Sequence, residues 1–175
     1  MAGELVTTAD LVAFPGGSDL AAPVVAAAAD LVRAYCGWHI APEREDTVVV
    51  DCHGGATLVL PGTMNLTEVT GVRNVTGDPT GVPVTGYRVH ATEAFTAGIL
   101  THPGGWPYGV LELDIVHGYA TCPDAIKAAV VELAGAVERG DLSQRTLGDR
   151  SESWRDNLSA SARQALDQHR IPRSP

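Results

Sequence analysis

Apolar residues recur every three or four positions in two long segments of the chain, which is the spacing of an amphipathic helix. The first segment runs from Leu20 to Cys36, with Pro23 in its first turn and Gly37 as a stop signal. The second opens at Pro123 and ends at Gly140, and its apolar stripe consists of Ile126, Val130, Leu133 and Val137. We therefore predict two long helices at these places.

Two shorter helices are predicted outside this pair. One covers Ala9 to Ala13 and is capped by Thr7 or Thr8. The other covers Leu158 to Arg170, where apolar residues again fall near one face. Residues 141–157 have little apolar content and resemble an extended arm.

Between the long helices the pattern changes to a period of two or to short apolar runs, which favours antiparallel strands. The clearest alternation places Leu111, Leu113 and Ile115 on one face and Glu112 and Asp114 on the other. Further strands are expected at 48–50, 58–60, 69–75 and 87–89, with a loop or tight hairpin connection at 76–86 and a loop at 98–107.

The predicted fold is therefore α+β, a helical bundle core with an inserted antiparallel β-sheet region and an extended C-terminal arm ending in a helix. In domain terms, residues 1–140 form the body, with a β-rich middle over 47–119, and residues 141–175 form the arm and its helix.

Charge is divided unevenly along the 175 residues, which carry a net charge of -9. Residues 1–140 hold six basic and sixteen acidic residues, whereas residues 141–175 hold six Arg and five acids. Nucleic-acid binding needs clustered Lys and Arg, so an acidic body with a single Lys is not expected to bind DNA. We also find no apolar run of the roughly 18 residues that a membrane span needs, and expect a soluble protein with no membrane partner.

Catalytic and metal-binding patterns are not found. The six histidines show no H-x-x-x-H or H-E-x-x-H spacing, and Cys52 and His53, as neighbours on a strand, should point to opposite faces. Glu112 and Asp114 could act as paired carboxylates, but alternating acids on a strand are more typical of a solvated surface. We expect no cofactor, no metal and no enzymatic activity.

Two tryptophans are candidates for contacts with other chains. Trp106, in a loop of Gly and Pro, either tucks over the sheet or docks on a neighbouring chain. Trp154, on the arm between Arg150 and Arg155, has no local apolar stripe to bury it, and an aromatic flanked by Arg is typical of a binding anchor.

Several short segments, in their order and spacing, resemble the head-to-tail connector proteins of long-tailed bacteriophages, also called head-completion or adaptor proteins. These segments are 35–40 (YCGWHI), 58–61 (LVLP), 105–107 (GWP), 115–119 (IVHGY) and 122–126 (CPDAI). The stretch from Leu147 to Arg170 looks like that of the actinobacterial-phage members.

The resemblance implies a dodecameric ring that docks beneath the portal protein, extends the DNA channel and receives the next neck or tail protein, such as a stopper or tail terminator. Genomic DNA would be only passing cargo. The protein would be located in the virion, at the head-tail junction, after assembly in the host cytoplasm. The last helix would dock on the portal, so the expected portal-binding residues are Arg150, Trp154, Arg155, Leu158, Leu166 and Arg170.

The long strand-rich middle departs from the smaller, mostly helical members of that family, and we expect it to make ring contacts. The candidate residues there are Val82, Val84 and Trp106. Two alternatives stay open: another neck or tail-completion protein, such as a hexameric tail terminator, and a small enzyme that uses His117 or the pair of Glu112 and Asp114.

Overall fold

The computed structural model describes residues 4–60, 65–89, 98–139 and 158–171. The chain divides into two compact units, and the second is inserted in the sequence of the first. The helical unit contains Met1–Pro42 and Ala120–Pro175, and the β unit contains Glu43–Tyr119. The α+β fold class is confirmed: the described helices fall in the first unit and the described strands in the second.

The described part of the helical unit has four α-helices and one short 3-10 helix. They are α1 (Thr8–Ala13), the 3-10 helix (Gly17–Asp19), α2 (Ala22–Cys36), α3 (Asp124–Glu138) and α4 (Ala160–Gln168). Thr7 caps α1, because its side chain accepts from the Asp10 N–H while the Asp10 carboxylate accepts from the Thr7 N–H. Gly37 ends α2 in the left-handed conformation, which glycine adopts without steric cost.

Helix α3 is the centre of this unit, packing against both α2 and α4. Its predicted stripe is buried at Ile126, Val130 and Leu133, which are inaccessible to solvent. Two of its glutamates also hold the starts of the neighbouring helices. Glu138 accepts from the Ala21 N–H at 3.0 Å, and Glu132 accepts from the Ser159 N–H at 2.5 Å and from the Ser159 hydroxyl at 2.8 Å. Carboxylates at these positions satisfy backbone donors that have no partner within their own helix.

The β unit is built from two antiparallel sheets. Its strands are β1 (Arg44–Cys52), β2 (Thr57–Val59), β3 (Leu66–Asn74), β4 (Val82–Pro83), β5 (Arg88–Val89), β6 (Ile99–Thr101) and β7 (Gly109–His117). Among the described residues, the first sheet has the order β1-β7-β3-β4 and the second the order β2-β6-β5. Residues of both sheets contribute to one apolar cluster, so the sheets face each other across a shared core.

Strand β7 carries the alternation that the sequence shows. Leu111, Leu113 and Ile115 are buried in the shared core, while Glu112 and Asp114 lie on the other face of the sheet. Its partner β1 runs alongside it without a bulge, from Arg44 opposite His117 to Cys52 opposite Gly109. The chain therefore enters and leaves the β unit at the same end of one strand pair.

Two short strands lie in segments that the sequence does not mark as strands. The segment 76–86, expected as a loop or tight hairpin connection, includes β4, which pairs antiparallel with the preceding β3. The segment 98–107, expected as a loop, includes β6, the central strand of the second sheet. Both strands are shorter than the runs that a period-two pattern can identify, because two or three residues give no repeat to read. No helix in the described parts of the chain is long and apolar enough to span a membrane.

Truncating the α3 stripe tests the core of the helical unit. Leu133→Ala should lower the free energy of unfolding by about 2–5 kcal/mol, because it leaves a cavity at a fully buried position. Val12→Ala, on the exposed face of α1, should change it by less than about 0.5 kcal/mol. Chemical denaturation of the three proteins measures both effects, and a Leu133→Ala value as small as the control would show that the stripe is not packed.

The ion pair between α1 and α3 predicts a dependence of stability on pH. The Asp10 carboxylate accepts from Lys127 Nζ at 2.7 Å, and this hydrogen bond is the main cause that lowers the pKa of Asp10 to about 2. Because the pKa of Asp10 is lower in the folded state, its ionised form stabilises that state. This stabilisation is complete at pH values above the ordinary Asp pKa of 3.8 and is lost as the pH falls through about 2. Asp10→Asn should therefore cost about 1.5–3 kcal/mol near neutral pH, and its difference from the unmodified protein should shrink below about pH 4.

Denaturation of both proteins at a series of pH values checks this expectation. Asp30→Asn is the matched control, since its carboxylate is exposed and pairs with Arg33 at 3.4 Å, a surface pair of little energetic weight. A difference for Asp10→Asn that is independent of pH would contradict the assigned pair.

Candidate functional site

The C-terminal helix, expected to dock on a portal protein, is packed within the helical unit. Leu158 and Leu166 are buried there, and α4 contacts both α2 and α3. These two leucines therefore serve the chain's own core and cannot meet a partner in this structure, because the surrounding helices already cover them.

The end of α4 is joined to the end of α2 by polar contacts. Trp38 Nε1 donates to the carbonyl of His169 at 2.6 Å, and the Ile171 N–H donates to the carbonyl of Cys36 at 2.9 Å. These contacts involve the segment 35–40 that carries part of the phage-connector resemblance. Its tryptophan and its helix stop position α4.

Tyr35 is the second link between the two helices. Its hydroxyl donates to Asp167 at 2.5 Å and accepts from Arg170 Nη1 at 3.3 Å. The Arg170 guanidinium also lies 4.6 Å from the centre of the Tyr35 ring, within the range of a cation–π interaction. Arg170, expected to bind a portal, is thus engaged in holding α4 in place.

The outward face of α4 is polar. A shallow surface there is lined by Ala160, Arg163, Gln164, Asp167 and Gln168. The first turn of this face begins at Ser159, whose side chain caps the helix by accepting from the Ala162 N–H. This face is the part of the predicted docking helix that a partner can reach. The other predicted docking residues, Arg150, Trp154 and Arg155, lie outside the described residues.

The three predicted ring-contact residues have different environments. Val82 is exposed on β4, Val84 is partly buried against the shared core, and Trp106 is only 4% exposed. The Trp106 ring stacks on Tyr87 with the ring centres 5.9 Å apart. Of the two interpretations of Trp106, the tucked position is the one observed, so its ring is not available to a neighbouring chain.

The candidate catalytic carboxylates are held by an arginine. Arg73 on β3 forms ion pairs with both Glu112 and Asp114 on β7, and Thr47 Oγ1 donates to Asp114 at 2.9 Å. An arginine between two carboxylates neutralises them in place, which suits a structural cross-strand network better than proton transfer. Cys52 is buried at the end of β1, and His53, which follows the strand, is exposed. Within the described residues, no group of three or more acidic, His or Cys side chains is arranged to hold a metal ion.

Burial disfavours the charged forms of His117, Cys36 and Cys122. Burial lowers the pKa of His117, with Asp46 at 3.5 Å acting in the opposite direction. Burial also raises the pKa of Cys36 and of Cys122 to about 12, so neither thiol forms a nucleophilic thiolate near neutral pH.

Sequence reasoning missed the residues that fix α4, namely Tyr35, Trp38, Glu132 and Asp167. Only Trp38 carried a usable signal, since a tryptophan directly after a helix stop commonly covers the end of that helix.

The fold is similar to that of chains from gene transfer agent (GTA) particles. One is from the neck of the empty GTA particle computed with C6 symmetry, with 17% identity, a TM-score of 0.66 and coverage of 100% of this chain and 94% of that one. A second is from the neck of the native particle computed with C12 symmetry, with 21% identity, a TM-score of 0.59 and coverage of 100% and 97%. A third is from the virion of the native particle, with 20% identity, a TM-score of 0.60 and coverage of 87% and 77%.

No protein-family model and no curated protein matches the sequence. At these identities, the structural likeness establishes a shared fold.

Removing the Tyr35 hydroxyl tests the attachment of α4. Tyr35→Phe should weaken the protection of α4 amides against hydrogen exchange by an amount corresponding to about 1 kcal/mol, because Asp167 and Arg170 lose a shared partner. Tyr108→Phe, at a ring that is 74% exposed, is the matched control and should leave the exchange unchanged. Equal exchange in both variants would mean that the hydroxyl does not hold the helix.

Proposed function

We propose that this protein is a structural adaptor of a phage-like particle, which forms a ring beneath the portal, extends the DNA channel and joins the head to the next neck or tail protein. The observation that carries the proposal is the likeness of its fold, over the whole chain, to chains from the necks of GTA particles. The connector-like segments of the sequence support the same assignment. The actinobacterial-phage type stays a prediction.

The charge of the chain supports a role in which DNA passes without being held. Residues 1–140 carry ten more acidic than basic residues, and an acidic wall repels a polyanion. A conduit needs this property, because a surface that bound phosphates would slow the movement of the genome.

The outward face of α4 supports a docking role for the C-terminal helix. Arg163, Gln164 and Gln168 lie on that face, and the helix is anchored from behind by Glu132, Tyr35 and Trp38. A polar face on a well-anchored helix loses little conformational entropy on binding, which favours recognition by a partner.

A structural role also agrees with the state of the candidate catalytic groups. Glu112 and Asp114 pair with Arg73, and the Cys36 and Cys122 thiols stay protonated because burial raises the pKa of each. We propose that the protein is not an enzyme.

A second candidate is a neighbouring neck or tail-completion protein, such as a tail terminator ring. One of the similar chains comes from a neck computed with C6 symmetry, which suits a sixfold component. The two candidates predict different numbers of copies, twelve for the adaptor and six for the terminator.

Native mass spectrometry of the protein, alone and mixed with a purified portal ring, separates them. A stable complex of twelve copies with one portal ring is expected. Six copies would favour the tail-completion protein, and no association with the portal would contradict the adaptor role.

Charge reversal on α4 tests its docking face. Arg163→Glu should weaken portal binding at least tenfold, equivalent to about 1.4 kcal/mol, because it replaces a cation at the contact by an anion. Arg139→Glu, an equal reversal at the exposed end of α3, should leave binding within about twofold. Point variants are preferable to removal of residues 141–175, since deleting Leu158 and Leu166 would open the core of the helical unit. Equal portal binding by Arg163→Glu and Arg139→Glu would show that the outward face of α4 does not contact the portal.

A further inference from the structure

Exposed apolar side chains are concentrated on the edge strands of the β unit. Five large apolar residues stand out as exposed in the described chain: Val12, Val49, Val59, Val82 and Tyr108. Three of them lie on strands that end a sheet, with Val49 on β1 58% exposed, Val59 on β2 60% and Val82 on β4 66%. An isolated exposed valine is ordinary, but valines on sheet edges mark places where another strand can pack.

Each sheet has two edge strands. Strands β1 and β2, joined by residues 53–56, are one edge strand of each sheet, and β4 and β5, joined by residues 84–87, are the other. We call Val49, Asp51 and Val59 the first edge surface, and Val82, Pro83 and Arg88 the second edge surface.

The backbone of β1 is open along the first edge surface. On the neighbouring strand β7, the Val110 N–H donates to the Thr76 hydroxyl, and the Val110 carbonyl accepts from the Val75 N–H, both just beyond β3. The backbone groups of Val110 therefore point towards the β3 side of the sheet. Asp51 lies opposite Val110, so the backbone groups of Asp51, and of Val49 two residues earlier, point away from β7. Nearer the start of the strand, the Asp46 carboxylate accepts from the Thr47 N–H and covers that part of the edge.

The β4 edge, in the second edge surface, can accept a hydrogen bond at Pro83 but cannot donate one there. The Val84 N–H donates to Val72 on β3, so the alternation directs the Pro83 backbone outwards. Proline has no N–H, which leaves its carbonyl as an acceptor. Two copies of β4 therefore cannot pair with each other there, whereas β1 supplies the donors that Pro83 lacks.

Charge favours the same combination. The β1 edge carries Glu45, Asp46 and Asp51 against one Arg44, so two β1 edges would repel each other. The second edge surface presents Arg88, an exposed cation on β5. Opposite charges therefore meet only when the first edge surface of one copy faces the second edge surface of another.

We propose that neighbouring copies of this chain join side by side through unlike edges, the first edge surface of one copy against the second edge surface of the next. A contact between two different surfaces of the same chain repeats from copy to copy and closes into a ring when the rotation allows it. The proposal rests on the ring of the proposed function and identifies the surfaces that build it.

Engineered cysteines test this contact on the full-length protein. Val49→Cys and Pro83→Cys are placed together in one chain, because these positions lie opposite Glu112 and Arg73 and so share the face of the first sheet that is turned away from the core. The variant is oxidised at high protein concentration and separated by size under denaturing, non-reducing conditions. The expected result is a ladder that extends beyond the dimer, because every copy can bond a neighbour on each side. The native Cys36, Cys52 and Cys122 are buried and should not contribute.

Single variants and a control define the arrangement. Val49→Cys alone and Pro83→Cys alone should stay monomeric, and a mixture of the two should give dimers only. Val12→Cys combined with Val49→Cys should give no ladder, since Val12 is 72% exposed but lies on α1. A dimer from Val49→Cys alone, or a double variant no different from this control, would overturn the proposal.

A charge exchange gives an independent readout. Asp51→Arg or Arg88→Asp alone should reduce self-association in sedimentation velocity several-fold, and the two together should restore it. Failure of restoration, with melting temperatures unchanged, would contradict the pairing of these edges. A ladder without portal binding would support this contact and contradict the adaptor role. Portal binding without a ladder would support the adaptor role and contradict this contact.

Discussion

The pairing of β1 with β7 is the constraint on which the rest of the structure depends. These strands match residue for residue from Arg44 opposite His117 to Cys52 opposite Gly109. Because their ends meet, the whole β unit is an insertion that leaves and returns at one place. Helices α2 and α3, which are separated in sequence by residues 37–123, can consequently pack as neighbours in the helical unit.

The helical unit makes a comparable use of its last helix. Leu158 and Leu166 complete a core that α2 and α3 leave open, and Glu132, Tyr35 and Trp38 fix the helix at both ends. One face of α4 is therefore structural, and the other presents Arg163, Gln164 and Gln168. A shift of the outer face would therefore also disturb the buried leucines.

The sequence predicted the elements better than their assembly. The 3.6-residue period located α2 and α3, and the strict alternation of Leu111, Leu113 and Ile115 located β7, because long amphipathic segments repeat their signal several times. Strand β6 was not predicted, and β4 was anticipated only through the alternative of a tight hairpin connection, since their partners rather than their own residues define them.

The site was predicted less completely than the fold. The C-terminal helix was correctly located, but its leucines were assigned to a partner, because an apolar stripe does not say which surface covers it. Trp106 shows the same ambiguity. Its place in a Gly and Pro loop is compatible with an exposed ring, and only the neighbouring Tyr87, nineteen positions earlier, shows that the loop folds back over the core.

The Asp10–Lys127 pair has a consequence for the chemistry of the folded surface. Lys127 is the single lysine of the sequence, and it is buried with its amino group against the Asp10 carboxylate. Amine-directed reagents such as acetylating agents and succinimidyl esters need a free, unprotonated amine, and the hydrogen bond to Asp10 raises the pKa of this one. The folded chain is thus almost inert to such labels apart from an amino terminus, and modification of Lys127 would report the moment at which α1 leaves α3.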